Sequence, residues 1–278
     1  MKTCPVTVTR MHAGRFVETA DLLAMEEPLQ IQILFGSSGN EQRKDLAVTM
    51  RTPGNDEELA AGFLFTEGII SNNSHLIQLI PKASGENTVL AILKSDFIPD
   101  LQTAERNFYV TSSCGVCGKS GIDAIRRKIE YPIEKEPDHI SAEVLYRLPE
   151  ALRKQQEVFQ RTGGLHACAL FERNGNFISL QEDVGRHNAL DKLIGNAFLK
   201  GQLPLRNKIL LLSGRASFEL VQKAAIAGIR FIAAIGAPSS LAVQLADEAG
   251  ITLIGFLKGD GFNIYSVPET IIETAEQT

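Results

Sequence analysis

The apolar positions of the chain follow two different patterns. In residues 1–105 they alternate with polar ones over short β-branched runs: Val6-Thr7-Val8, Leu29 to Phe35 and Leu46 to Arg51. Alternation of this kind predicts strands with one buried face. Gly36-Ser37-Ser38-Gly39-Asn40 reads as the turn between two of them. At Pro53-Gly54-Asn55 the pattern changes. Asn55 is expected to cap a helix that carries Asp56, Glu57 and Glu58 in its first turn and runs through Leu59, Phe63 and Leu64. Strands are expected again near Leu76 to Ile80 and Val89 to Leu93. Together these elements predict a smaller N-terminal mixed α+β domain, residues 1–105.

Residues 106–278 read as a second, α/β domain. Asn107 to Thr111 is a predicted strand, and Ser120 can start a helix carrying Ile122, Ile125 and Ile129. Tyr131 to Asp138 is a charged connector. Ser141 is expected to cap a helix that Pro149 bends, ending at Thr162-Gly163-Gly164. His166 to Glu172 and Phe177 to Gln181 form a hairpin around Arg173-Asn174-Gly175-Asn176. Helices 187–199, 217–228 and 240–249 then alternate with strands Ile209 to Leu212, Phe231 to Ile235 and Ile251 to Leu257, and Phe262 to Val267 is the last strand. Continuous apolar runs such as Ile209-Leu210-Leu211-Leu212 suit strands covered on both faces. The expectation is a mostly parallel sheet with helices on both sides.

Composition changes this picture little. The chain has 278 residues, of which 44% are hydrophobic and 22% charged, an ordinary balance for a globular protein with a core. A net charge of −5 argues against a nucleic-acid partner, which needs a basic face. Met1-Lys2-Thr3-Cys4-Pro5 lacks the apolar segment of a secretory signal. The most apolar run, around Phe231 to Val243, is broken by Pro238-Ser239-Ser240, so no membrane insertion is expected. The setting these features predict is cytoplasmic and reducing, where free thiols persist.

Candidate chemistry is concentrated in Ser112-Ser113-Cys114-Gly115-Val116-Cys117-Gly118-Lys119, which holds two of the four cysteines. A C-x-x-C pair can be redox-active, half of a metal site, or a reactive thiol with a neighbour. Lys119 and the following helix start favour the thiolate of Cys114 or Cys117, which is the nucleophilic form. A structural zinc half-site is the alternative, although no second C-x-x-C completes a set of four ligands.

Three loops at the predicted carboxyl ends of strands carry further candidates, because ligands of open α/β sheets bind there. Gly185-Arg186-His187 and Gly214-Arg215 each stand at a helix start, where unpaired N–H groups favour anions. Lys258-Gly259-Asp260-Gly261 is either a third contact or a tight turn. Asp183 is placed to orient the ring of His187. His166 is left between a structural and a site role, and Cys168 reads as a small buried hydrophobe.

Six segments in order resemble the motifs of the FdhD/NarQ family. They are Gly62-Phe63-Leu64-Phe65-Thr66-Glu67-Gly68-Ile69-Ile70, Thr111 to Gly118, Thr162-Gly163-Gly164-Leu165-His166-Ala167, Glu182 to Lys192, Ser213 to Glu219, and Gly255 to Asp260. The resemblance implies a cytidine-deaminase-like three-layer α/β/α second domain. It implies a sulfurtransferase-like carrier that accepts persulfide sulfur from a cysteine desulfurase. The sulfur passes to the molybdenum bis-guanine dinucleotide cofactor before its insertion into formate dehydrogenase. On this resemblance Cys114 is the persulfide carrier and Cys117 its functional partner. Phe256, Leu257, Lys258, Gly259, Asp260 and Gly261 form the cofactor-binding segment, GDP is a mimic of the cofactor, and the protein is a homodimer. Relatives often have a basic residue at Gly261 and alanine at Cys168.

Two other classes remain open. A zinc-dependent deaminase would use Cys114 and Cys117 with His166 or Cys168, but its H-x-E and P-C-x-x-C signatures are missing: Ser113 replaces the proline and His166-Ala167-Cys168 lacks the glutamate. A cofactor-binding chaperone would need no sulfur chemistry.

Overall fold

The protein is described from a computed structural model, which covers residues 2–83, 86–101, 139–267 and 270–272. The Cys114–Cys117 loop, the strand expected before it, the helix expected after it and the 105/106 boundary lie outside the described residues.

The chain opens with a two-stranded antiparallel hairpin, β1 (Thr3–His12) and β2 (Arg15–Ala24). Only a short piece of β1 was expected. β2 is missed because its residues are mostly exposed and alternation is weak. Next comes a four-stranded sheet in the order β4-β3-β6-β5, from β3 (Glu27–Phe35), β4 (Gln42–Arg51), β5 (Leu76–Pro81) and β6 (Thr88–Leu93). Helix α1 (Asp56–Thr66) covers it, burying Leu59 and Ala60 against Leu29, Ile31 and Val89. Asn55 precedes α1 as expected, but in the left-handed region at φ 57°, so its side chain does not cap the helix and bonds Glu58 instead.

Helix α2 (Ala142–Gln155) starts at Ser141, whose Oγ accepts the Glu143 N–H. Pro149 sits inside it without ending it, and the chain restarts at α3 (Glu157–Thr162). A six-stranded sheet follows in the order β13-β12-β11-β10-β8-β9. Its strands are β8 (His166–Glu172), β9 (Phe177–Asp183), β10 (Lys208–Leu212), β11 (Phe231–Ala234), β12 (Thr252–Gly255) and β13 (Asn263–Ser266). A small parallel pair, β7 (Ile140–Ser141) with β14 (Ile271–Ile272), lies apart from it.

The expectation of a mostly parallel sheet is corrected. Only β10–β11 and β11–β12 run parallel; β8–β9, β8–β10 and β12–β13 are antiparallel. The Arg173–Asn176 hairpin accounts for β8–β9, the Lys258–Gly261 turn returns β13 against β12, and β10 pairs with β8 instead of β9.

Both faces of this sheet are covered. Leu210 and Leu212 point toward α4 (Arg186–Leu199), α5 (Phe218–Ile226) and α6 (Ser240–Glu248). Ile209 and Leu211 point toward Leu145, Leu148 and Leu152 of α2. The continuous apolar run of β10 is thus an alternation between two cores. No helix among the described residues is long and apolar enough to cross a membrane.

The two sheets are joined where α1 crosses α4. A Cβ on Gly62 would sit 1.9 Å from the Asp191 carbonyl oxygen, and one on Gly195 would sit 1.8 Å from that of Glu58. Only glycine permits that approach.

Candidate functional site

The antiparallel β8–β10 pairing brings the start of β8 to the end of β10. Ser213 N–H donates to the Ala167 carbonyl at 2.9 Å, and Ala167 N–H donates to Ser213 Oγ at 2.8 Å. Next along the same edge, Gly236 N–H donates to the Gly214 carbonyl, and Phe256 N–H donates to the Gly236 carbonyl. The loops after β9, β10, β11 and β12 therefore line one edge of the sheet. The loop Gly236-Ala237-Pro238-Ser239 had not been assigned to it. Its sequence signal is the same as that of Ser213-Gly214-Arg215: an apolar strand, a glycine and a helix start. Gly236 is needed because a Cβ there would meet Arg215 N at 2.9 Å.

Three helices begin at this edge. Ser239 Oγ caps α6 by accepting the Ala242 N–H. No side chain caps α4 or α5. Two helix N-termini thus present unsatisfied N–H groups and the positive end of the helix dipole. Arg186 and Arg215 stand at these two starts. Neither side chain makes a hydrogen bond or ion pair among the described residues, and Arg186 Nε is buried without a partner. The arginines are therefore not braced by Asp183 and Glu219, which have other partners.

His187 Nε2 lies 2.9 Å from Glu219 Oε2 and 3.4 Å from Ser217 Oγ. Its hydrogen bond holds the Glu219 carboxyl below the usual carboxylate range, against the opposing effect of burial. The expectation that Asp183 orients this ring is corrected. Asp183 is fully buried and takes Lys192 Nζ at 2.7 Å, the Thr52 N–H at 3.1 Å and the Gly185 N–H at 2.8 Å. Asn188 joins the same group, donating to the Met50 carbonyl and accepting from Thr49 Oγ1.

The segment Glu182 to Lys192 thus divides by face. Arg186 and His187 look toward the sheet edge. Asp183, Asn188 and Lys192 fasten α4 to the four-stranded sheet through β4 and Thr52. Glu182 accepts the N–H groups of Val158 and Phe159 at the start of α3. A second buried group repeats the fastening: Lys223 Nζ meets both Asp191 oxygens at 2.9 Å, with Thr66 Oγ1 at 2.8 Å and Glu67 Oε1 at 3.1 Å.

Phe256 is exposed and holds φ 53°, a conformation uncommon for an aromatic residue. Leu257, expected in the binding segment, has its side chain in the core, so only its backbone is available to a ligand. Lys258, Gly259 and Asp260 are exposed in a turn closed by Lys258 N–H donating to the Gly261 carbonyl. Gly259 lies nearest the Tyr146 carbonyl of α2. Burial raises the Cys168 thiol far above its ordinary pKa, which fits a packing role.

Fold and edge together define a mixed α/β protein with two uncapped helix starts and with Arg186 and Arg215 at one sheet edge. The chain belongs to the FdhD/NarQ family, whose model matches residues 24–272. It is 48% identical over 268 residues to the sulfur carrier protein FdhD of Streptomyces coelicolor, covering 93% of this chain and 92% of that one. It is 43% identical over 271 residues to the protein of the same name from Sulfolobus acidocaldarius, covering 98% and 99%. The fold is that of a candidate formate dehydrogenase accessory protein from Desulfotalea psychrophila, with a TM-score of 0.74 at 23% identity over 98% of this chain and 100% of that one.

Proposed function

We propose that this chain is a sulfur carrier for formate dehydrogenase maturation. The observation that carries the reading is its similarity, over nearly its whole length, to relatives named sulfur carrier proteins. In this reading the Cys114 thiolate attacks the terminal sulfur of a persulfide on a cysteine desulfurase. A new S–S bond forms at Cys114, the old one breaks, and the desulfurase cysteine leaves as thiolate. Cys117 lies close enough in sequence to relay or release that sulfur.

The acceptor is the bis-guanine dinucleotide form of the molybdenum cofactor, held at the sheet edge. Its diphosphates suit Arg186, Arg215 and the open starts of α4 and α5. Phe256 offers an exposed aromatic face to a guanine, and Lys258, Gly259, Asp260 and Gly261 supply a charge, a carboxylate and close backbone beside it. His187 is held in place by Glu219. The same reading makes the protein a cytoplasmic homodimer whose second unit is cytidine-deaminase-like.

Mass spectrometry after incubation with a cysteine desulfurase and cysteine tests this. The protein should become one sulfur atom heavier, and Cys114→Ala should abolish both the added mass and maturation of formate dehydrogenase. A Cys114→Ala protein that still matures the dehydrogenase would sink the assignment.

A further inference from the structure

His166 opens β8 and pairs in register with Asp183. Its ring lies against the turn after β10: a Cβ added at Gly214 would come within 3.3 Å of Nδ1. Arg186 and His187 reach it electrostatically from the start of α4, and Arg215 from the loop before α5. Asp183 acts on it from β9 with the opposite sign, but that carboxylate is already held by Lys192. Among the described residues neither ring nitrogen has a hydrogen-bond partner, although the side chain is half-buried. The ring thus stands at the edge that carries Arg186, Arg215 and the two uncapped helix starts.

We propose that His166 is a further ligand of this site, that it contacts a phosphate or diphosphate group beside Arg186 and Arg215, and that it takes up a proton as the group binds. The proposal rests on reading the sheet edge as an anion site. Burial and the nearby positive charges hold the free ring below the ordinary histidine pKa, so it waits neutral at pH 7. A bound anion opposes the second influence: it offsets the charge of the arginines and places negative charge against the ring. Protonation and binding are then linked, and affinity rises as pH falls from 8 to 6. A change of about one pKa unit on binding corresponds to roughly a tenfold gain in affinity, reached in full only below the free ring's pKa.

Calorimetry with GDP at pH 7, in two buffers of different ionisation enthalpy, counts the protons taken up. The nucleotide's own protonation is common to all variants and cancels in the difference. The wild-type protein should take up more protons than His166→Asn, which should still bind GDP but gain less affinity than wild type as pH falls from 8 to 6. Proton NMR of the wild-type ring needs no variant: the His166 titration should move upward when GDP is added. Uptake that is unchanged in His166→Asn, or that disappears instead in His187→Gln, overturns the role of His166 and leaves the anion site standing. Absence of GDP binding to the wild-type protein overturns the anion site and this inference with it.

Discussion

At the scale of single residues, the difference between a bracing and a binding arginine is measurable. Arg215 is exposed and makes no ion pair among the described residues. Replacing it with alanine should therefore leave the unfolding midpoint within about 0.5 kcal/mol of wild type. If it holds a phosphate, the same change removes a charge-assisted hydrogen bond, and GDP affinity should fall by roughly ten- to a hundredfold. Calorimetry and a urea titration on one preparation read both quantities; a variant that loses stability and keeps affinity would return Arg215 to a structural role. His166 adds a stability effect with a definite sign. Its folded-state pKa is lowered, so below about pH 6.5 the unfolded chain binds the proton first, and stability is lost as the solution is acidified. His166→Asn should lose less stability between pH 7 and pH 5 than wild type in the same urea titration. The clusters of functional residue types were legible in the sequence, because glycine-arginine pairs at helix starts have a local cause. Which residue of a cluster faces the ligand was not. Asp183 sits two residues from Gly185 and looked like a partner for His187, yet its carboxylate is spent on Lys192 and on Thr52, 131 positions away in sequence. Contacts across such distances leave no mark in local spacing.

At the scale of elements, the α1–α4 crossing gives a glycine rule that local propensity would predict with the wrong sign. In an isolated helix Gly→Ala stabilises by about 1 kcal/mol. At Gly62 the new Cβ would overlap the Asp191 carbonyl, and at Gly195 that of Glu58, both of them helix backbone that cannot swing aside. Overpacking of this kind costs about 1–3 kcal/mol or more. Gly62→Ala and Gly195→Ala should each lower stability by at least about 2 kcal/mol, measured by urea unfolding, while Gly261→Ala, with open space around it, should stay within about 0.5 kcal/mol of wild type. The elements around this crossing were mostly legible: their periodicity and punctuation located each strand and helix of the second sheet to within a few residues. Parallel versus antiparallel pairing was harder to read. The Arg173–Asn176 turn marked one antiparallel pair, but that β10 lies antiparallel beside β8 and β13 antiparallel beside β12 is fixed by contacts between strands and not by their apolar runs.

At the scale of the whole molecule, the two sheets are held together by buried polar groups as well as by the glycine crossing. The Asp183–Lys192 pair is almost wholly inaccessible and is also bonded by the backbone of Thr52, the residue that follows β4 of the four-stranded sheet. The Lys223–Asp191 pair reaches Thr66 and Glu67 at the end of α1. Such pairs add little net stability over apolar packing, but removing one partner leaves an uncompensated buried charge and costs about 3–5 kcal/mol. Lys192→Met should therefore destabilise the protein by that amount. Because Asp183 also holds the Gly185 N–H that sets the start of α4, the same variant should bind GDP more weakly even though Lys192 is remote from the ligand. Lys223→Met should cost comparable stability while disturbing the α4 start less, so its GDP affinity should fall less. If the two sheets form one cooperative body, circular dichroism during urea unfolding and hydrogen exchange in β3 and β10 will report the same midpoint in wild type and in both variants. Separate midpoints for the two sheets in the wild-type chain would show that the buried pairs only decorate an interface between independently stable units, and that the site at the sheet edge needs nothing from the first sheet.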